Sequence, residues 1–204
     1  MYVAIAGNIG SGKTTLTSML AEHFAWTPLY EPLEDNPYIA DFYSDMRRWA
    51  FNLQIYFLYK RFSRVIDFHK QNENIIQDRT LFEDAQVFAP NLLSMGLLSL
   101  KDYETYISLF NLMVSLTPSP DLLIYLKASV PTLVNQINQR GRMYESSIRL
   151  DYITSLNKRY DEWIEKYEGK KLIINVDDLN IVDKPEDLGV VTDKINAEIN
   201  GLFK

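Results

Sequence analysis

Gly7-Asn8-Ile9-Gly10-Ser11-Gly12-Lys13-Thr14, with Thr15 behind it, fits the pattern G-x-x-x-x-G-K-[ST] and carries the most sharply defined chemistry in the sequence. Glycines let the backbone turn tightly and aim successive N–H groups inward. The N-terminus of a following helix adds its dipole, so the stretch makes a seat for anionic oxygens. Lys13 supplies a positive charge for β- and γ-phosphates, and Thr14 a hydroxyl for the Mg2+ that travels with a nucleoside triphosphate. The bland reading is a Gly-rich turn that only joins strand to helix. An apolar run from Tyr2 to Ala6 before the motif and a helix-like segment from Thr14 to Phe24 after it favour the phosphate loop.

Other candidates stand where apolar runs end. Glu31-Pro32 follows the run Thr27–Tyr30, and a carboxylate there can face the phosphate loop as a base taking a proton from an acceptor hydroxyl. The alternative is a solvated acidic loop, which is the expectation for Glu34 and Asp35. Asp78-Arg79-Thr80 follows Asn74–Gln77. Asp78 is placed to hold a metal ion or its water near Thr14, with Arg79 in the same anionic crevice; a buried structural ion pair is the competing account. Arg140-Gly141-Arg142, with Glu145 and Arg149 close behind, reads either as a mobile clamp over phosphoryl oxygens or as an ordinary basic helix end. Asp177-Asp178 follows the fifth apolar run, where a loop for the adenine of a bound nucleotide would lie.

Those residues need a scaffold, and the periodicity describes one. Strand-like runs at Tyr2–Ala6, Thr27–Tyr30, Asn74–Gln77, Leu122–Leu126 and Leu172–Val176 alternate with helical segments over 13–25, 38–46, 48–70, 80–94, 99–116, 129–140, 149–168 and 185–202. The alternation predicts an α/β fold: one five-stranded parallel sheet with helices on both faces and ligands beyond the carboxyl ends of its strands. Within 48–70 the apolar residues run nearly all round the helix, which predicts burial. Gln54, Phe57 and Arg61 nevertheless fall within about 60° of one another on the helical wheel. A buried amide and guanidinium need partners, either a flat hydrogen-bonding ligand such as a nucleobase or nearby backbone and carboxylates. Asp84 and Phe88, four residues apart, share a face that would complement Arg61 and stack on the same base.

Composition bounds the rest. The 204 residues, 47% hydrophobic, suit one domain spanning 1–204. A net charge of -6 argues against an extended nucleic-acid surface but allows a small anionic ligand bound by local groups. The absence of cysteine excludes disulfides and thiolate chemistry, and His23 and His69 read as solvated or packed residues rather than ligands. The opening residues already form the strand that feeds the loop, so no signal peptide is expected. No apolar run nears the ~20 residues of a membrane span. The expected compartment is the cytoplasm.

Taken together, the loop, Glu31-Pro32, Tyr43, Gln54, Asp78-Arg79-Thr80, Asp84, Phe88 and Arg140-Gly141-Arg142 with Glu145 resemble the deoxynucleoside kinase family in order and spacing from position 1 to about 177. The nearest likeness is to short bacterial deoxyadenosine/deoxyguanosine kinases, through Glu31, Pro32, Asn36, Pro37 and Tyr38. The resemblance implies transfer of the γ-phosphoryl of ATP to the 5′-hydroxyl of a deoxynucleoside, in a P-loop fold with an arginine-rich lid. By that likeness Glu31 is the general base, Arg79 steadies it and the phosphates, and Lys13, Arg140 and Arg142 neutralise transition-state charge. Thr14 and Asp78 position Mg2+, Tyr43 and Glu145 hold the sugar 3′-hydroxyl, Gln54, Phe57 and Arg61 read the base, and Phe88 stacks on it. The pairing of Arg61 with Asp84 implies deoxyadenosine first, deoxyguanosine second and deoxycytidine third. Asn36, Tyr144 and Gln136 depart from residues common in relatives, where a tryptophan, a glutamate and an arginine are frequent. Relatives pair helices into a homodimer, and the segments 80–94 and 149–168 carry more apolar and aromatic residues than one sheet face requires.

Two rivals share the phosphate loop. A thymidylate-type nucleoside monophosphate kinase usually has an arginine before Glu-Pro to hold the acceptor's phosphate, and Tyr30 stands there. A nucleotide-switched GTPase needs Asn-Lys-x-Asp as a base reader, and Asn157-Lys158-Arg159-Tyr160 fails at its fourth position.

Overall fold

The computed structural model describes residues 1–31, 33, 36–69 and 73–201, with the backbone alone at His69. Pro32, Glu34 and Asp35 of the expected acidic loop, and Lys70 and Leu202 at two expected helix ends, lie outside the described residues. Five strands, β1 (Tyr2–Gly7), β2 (Thr27–Leu29), β3 (Ile75–Asp78), β4 (Leu122–Lys127) and β5 (Lys171–Asn175), form one sheet in the order β2-β3-β1-β4-β5. Every pairing is parallel. β1 is central and buried along its whole length, which is what its unbroken apolar run requires of a strand covered on both faces.

Alternate residues of each strand serve opposite layers. Val3 and Ile5 of β1 and Leu122, Ile124 and Leu126 of β4 pack with Leu16 and Leu20 of α1 (Lys13–Phe24) and with Val191 and Ile195 of α9 (Pro185–Asn200). Tyr2, Ala4, Ala6, Leu123 and Tyr125 face the larger layer. Its helices are α2 (Ile39–Ser44), α3 (Met46–His69), α4 (Leu81–Glu83), α5 (Ala89–Ser94), α6 (Leu100–Val114) and α8 (Leu150–Lys166). Each large aliphatic side chain buried in these layers stabilises the fold by roughly 1.5–3 kcal/mol.

Three local features differ from expectation. β3 runs one residue further than predicted, so Asp78 ends the strand instead of following it. α3 is buried on one side only: Leu53, Leu58 and Val65 are in the core, Phe51, Ile55 and Phe62 are half-buried, and Tyr59 is 53% exposed. The single helix expected over 80–94 is interrupted by a π-helical turn at Asp84–Phe88, closed by the Ala89 N–H donating to the Asp84 carbonyl. Pro90 accounts for the break, because it has no N–H for the carbonyl four residues back and its ring crowds that oxygen.

The lid lies between α7 (Val130–Arg140) and α8. α7 ends at Gly141, whose left-handed φ of 65° turns the chain, and Met143–Ser147 follow as a 3₁₀ turn. That turn rests on α2 through Tyr144, whose ring is stacked on Tyr43 with centroids 5.9 Å apart and planes at 10°. Among the described residues no helix is long and apolar enough to cross a membrane.

Candidate active site

The loop after β1 turns at Gly10 and Gly12, with φ of 86° and 87°. Gly10 needs its missing side chain twice over: beyond the left-handed backbone, a Cβ there would lie 2.7 Å from the Leu133 carbonyl oxygen and 2.9 Å from Ile137 Cγ1 of α7. The Asn8 side chain fastens the loop to α8, donating from Nδ2 to the Ile153 carbonyl (3.1 Å) and to Asn157 Oδ1 (3.2 Å). Lys13 is buried and donates from Nζ to the Asn8 carbonyl at 2.8 Å. Burial, reinforced by the nearby Arg79 guanidinium, pushes its ammonium down to about 8. The Thr14 hydroxyl donates to Asp78 Oδ2 at 2.5 Å, and Asp78 Oδ1 is buried without a partner among the described residues. Burial pushes the Asp78 carboxyl up.

Across from the loop, a cavity of about 460 Å³ opens beyond the carboxyl ends of β1 and β3. It collects residues from six stretches of chain: Lys13 and Thr14; Glu31; Tyr43; Gln54, Phe57 and Arg61; Arg79, Asp84 and Phe88; and Arg140, Arg142 and Glu145. Arg61 bridges two acids there, hydrogen-bonding from Nη1 to Asp84 Oδ2 and from Nη2 to Glu31 Oε1. Arg79 Nε is 3.1 Å from the same Glu31 oxygen. Burial alone would raise the Glu31 carboxyl; Arg79, then Arg61 and Lys13, overcome it and hold the group at about 2. Asp84 goes the other way, since burial outweighs Arg61 and pushes it up to about 6. Two guanidiniums also lie over rings, Arg61 on Phe57 at 4.5 Å and Arg79 on Phe88 at 4.6 Å. Gln54 is buried at the cavity wall with Oε1 unpartnered among the described residues. In the lid, Arg140 grips Glu145 at two points (Nε–Oε2 3.1 Å, Nη2–Oε1 2.6 Å), and Arg142 reaches the same carboxylate at 3.5 Å.

Comparison with known proteins decides what this arrangement belongs to. The family model described as deoxynucleoside kinase matches residues 3–200. A deoxyadenosine/deoxycytidine kinase of Bacillus subtilis (strain 168) is 34% identical, over 97% of this chain and 93% of the relative. This chain belongs to the deoxynucleoside kinase family. A deoxyguanosine kinase of Lactobacillus acidophilus is also 34% identical, over 99% of this chain and 92% of its own. The solved structure of deoxyadenosine kinase from M. mycoides with products dCMP and a flexible dCDP superposes with a TM-score of 0.87 at 32% identity, covering 97% of this chain and all of that one. The chain is therefore a P-loop phosphotransferase acting on deoxynucleosides.

Within this deoxynucleoside kinase, two residues expected at the nucleotide, Asp177 and Gly7, direct their polar groups elsewhere. The Asp177 carboxylate accepts from the Ser129 N–H at 2.8 Å, is held below the usual range by that bond, and lines neither this cavity nor the slot behind the phosphate loop. The slot behind the phosphate loop, about 100 Å³, is instead bounded by Leu126, Ile174, Val176, Leu179 and Ile181 together with the loop backbone. Gly7 directs its N–H to Glu83 Oε2 (3.2 Å), away from the phosphate seat.

Glu83 and Tyr160, which hold Arg79 beside the cavity, are not among the residues that the sequence singles out. Glu83 stands three residues after Thr80, and its carboxylate accepts the Thr80 N–H at 2.9 Å in a capping box. That signal is legible but reads as a helix start. Tyr160 lies on the buried stripe of α8 with Tyr152, Leu156 and Ile164, which looks like core.

Proposed function

We propose that this kinase transfers the γ-phosphoryl of ATP, as its Mg2+ complex, to the 5′-hydroxyl of a deoxynucleoside, with deoxyadenosine preferred over deoxyguanosine and deoxyguanosine over deoxycytidine. The observation that carries the reading is the juxtaposition of Glu31 with Lys13 and Thr14 on opposite walls of one cavity. Glu31, ionised at neutral pH, accepts the proton of the 5′-hydroxyl as bond formation makes that hydroxyl acidic. Arg79 steadies the carboxylate and the incoming phosphoryl oxygens, while Lys13, Arg140 and Arg142 compensate charge that grows in the transition state. Tyr43 and Glu145 take the sugar 3′-hydroxyl. Once the sugar occupies Glu145, its two arginine partners are released toward the phosphates.

The magnesium assignment fits the donor set. Thr14 and the buried, unpartnered Asp78 Oδ1 offer hard oxygen ligands beside the phosphate seat. Among the described residues no group of three or more His, Cys, Asp or Glu side chains gathers as a metal site, which suits a cation bound largely by the nucleotide it accompanies. When bound, the ion polarises the β- and γ-phosphates. The slot bounded by Val176, Leu179 and Ile181 takes the donor base.

Base preference rests on Gln54, whose unpartnered oxygen suits an exocyclic amine, with Phe88 and Phe57 as flanking rings and the Asp84–Arg61 pair at the base edge. The whole chain acts as one domain, in the cytoplasm, as a homodimer, without nucleic-acid or membrane partners. A panel of the four natural deoxynucleosides with ATP and Mg2+ tests the reading; the highest kcat/KM is expected with deoxyadenosine. Phosphorylation of thymidine alone would overturn the base ranking, and phosphorylation of deoxyadenosine monophosphate in place of deoxyadenosine would overturn the acceptor.

A further inference from the structure

Arg79 is held from both ends. Its Nε faces Glu31, while its Nη1 donates to the Tyr160 hydroxyl at 2.6 Å and lies 3.5 Å from Glu83 Oε2. Tyr160 in turn donates to Glu83 Oε2 at 2.6 Å. The same carboxylate, completely buried, accepts from the Gly7 N–H at the end of β1 and from the Thr80 N–H just after β3. Arg79 itself sits at a left-handed φ of 66°, which costs a non-glycine residue about 1–2 kcal/mol and persists only where the surroundings over-determine it.

We infer that Glu83 and Tyr160 are a positioning pair, acting through Arg79 and the Gly7 peptide to fix the distance between the phosphate loop and the guanidinium that faces Glu31. The geometry gives a reason for each part. A guanidinium paired with Glu31 alone would follow that carboxylate when it turns toward an acceptor hydroxyl; anchored at Nη1, it stays between Glu31 and the phosphate seat. The phenol is suited to the junction because one oxygen accepts from Arg79 and donates to Glu83 at once. The carboxylate makes the loop and the guanidinium share one support, so neither moves without the other. The inference rests on the proposed role of Arg79 and extends it to two residues that touch no substrate.

Steady-state kinetics with both substrates tests it. Tyr160→Phe keeps the ring stacked on Tyr125 (5.9 Å, 15°) and deletes only the hydroxyl. The expected result is a fall in kcat of about tenfold or more, with the nucleoside KM within about twofold, because a hydrogen bond to a charged group is lost at the transition state and not in nucleoside binding. Glu83→Gln should lower kcat similarly and also weaken ATP, since one amide oxygen cannot accept from both the Gly7 and the Thr80 N–H. The double variant should be no worse than about the poorer single, as expected of groups acting as a unit. Wild-type kcat in Tyr160→Phe, or losses that multiply in the double variant, would overturn the inference. If Glu83→Gln fails to fold, Tyr160→Phe decides alone. Arg79→Ala distinguishes the underlying reading: unchanged turnover there removes Arg79 from the chemistry, whereas an inactive Arg79→Ala beside a fully active Tyr160→Phe removes only the positioning pair.

Discussion

Glu31 shows how little a single group does by itself. Its carboxylate lies at the wall of the cavity, yet its charge state is set by Arg79, Arg61 and Lys13, drawn from three other stretches of chain. Replacing it by glutamine keeps the shape and removes the proton acceptor. Turnover of Glu31→Gln should fall about a hundredfold or more, while nucleoside binding, followed by calorimetry, stays near that of the parent. Unchanged turnover would mean that another group takes the proton. At this scale much of the site was legible, because types and spacing announce phosphate seats, strand-end acids and the Arg61–Asp84 complement. What stayed hidden were side chains with two jobs. Glu83 satisfies the rule for a helix start with one oxygen and serves Gly7 and Tyr160 with the other, and nothing in a sequence window records the second.

At the scale of elements, the phosphate loop works because α7 closes against it. The contact of Gly10 with the Leu133 carbonyl and Ile137 leaves no room for a methyl group. Gly10→Ala must therefore both strain the backbone and push α7 away, at a cost of about 2–4 kcal/mol. A thermal melt should show a drop of several degrees, with weakened ATP binding. Gly141 is the control: it shares a left-handed φ but has open space around it, so Gly141→Ala should cost only about 1–2 kcal/mol. Equal losses from the two would rule out the packing argument. The periodicity rules located helices and strands well, since apolar alternation is read directly by a layered fold. They treated 80–94 as one helix because the one-residue shift of a π-turn, about 100° on the helical wheel, is not resolved in so short a window; only Pro90, placed where the ladder must open, hints at it.

For the molecule as a whole, the surface over α4 and α8 remains to be explained. Phe82, Trp163 and Tyr167, each half-buried against the core, border a groove there with Arg159 and Glu162. The homodimer proposed above, if formed through this face, would cover these rings. Sedimentation at micromolar concentration should give about twice the chain mass, and Trp163→Asp should shift it to the monomer with the cavity residues untouched. A monomer for the parent protein at every concentration would refute the assignment. The strand alternation foretold the sheet but not its order, because the hydrophobic pattern says which residues are covered and not which strand covers which.

That order has a consequence for biosynthesis. β1 leaves the ribosome before the other four strands and is the most thoroughly apolar of them, yet its hydrogen-bonding neighbours are β3 and β4, beginning at Ile75 and Leu122. At a translation rate of about 5–20 residues per second, the strand waits roughly 4–15 seconds for its first neighbour and longer for its second. The nucleotide seat is thus encoded ahead of the strands that flank it, so a nascent chain carries an unpaired apolar hexapeptide until β3 has emerged.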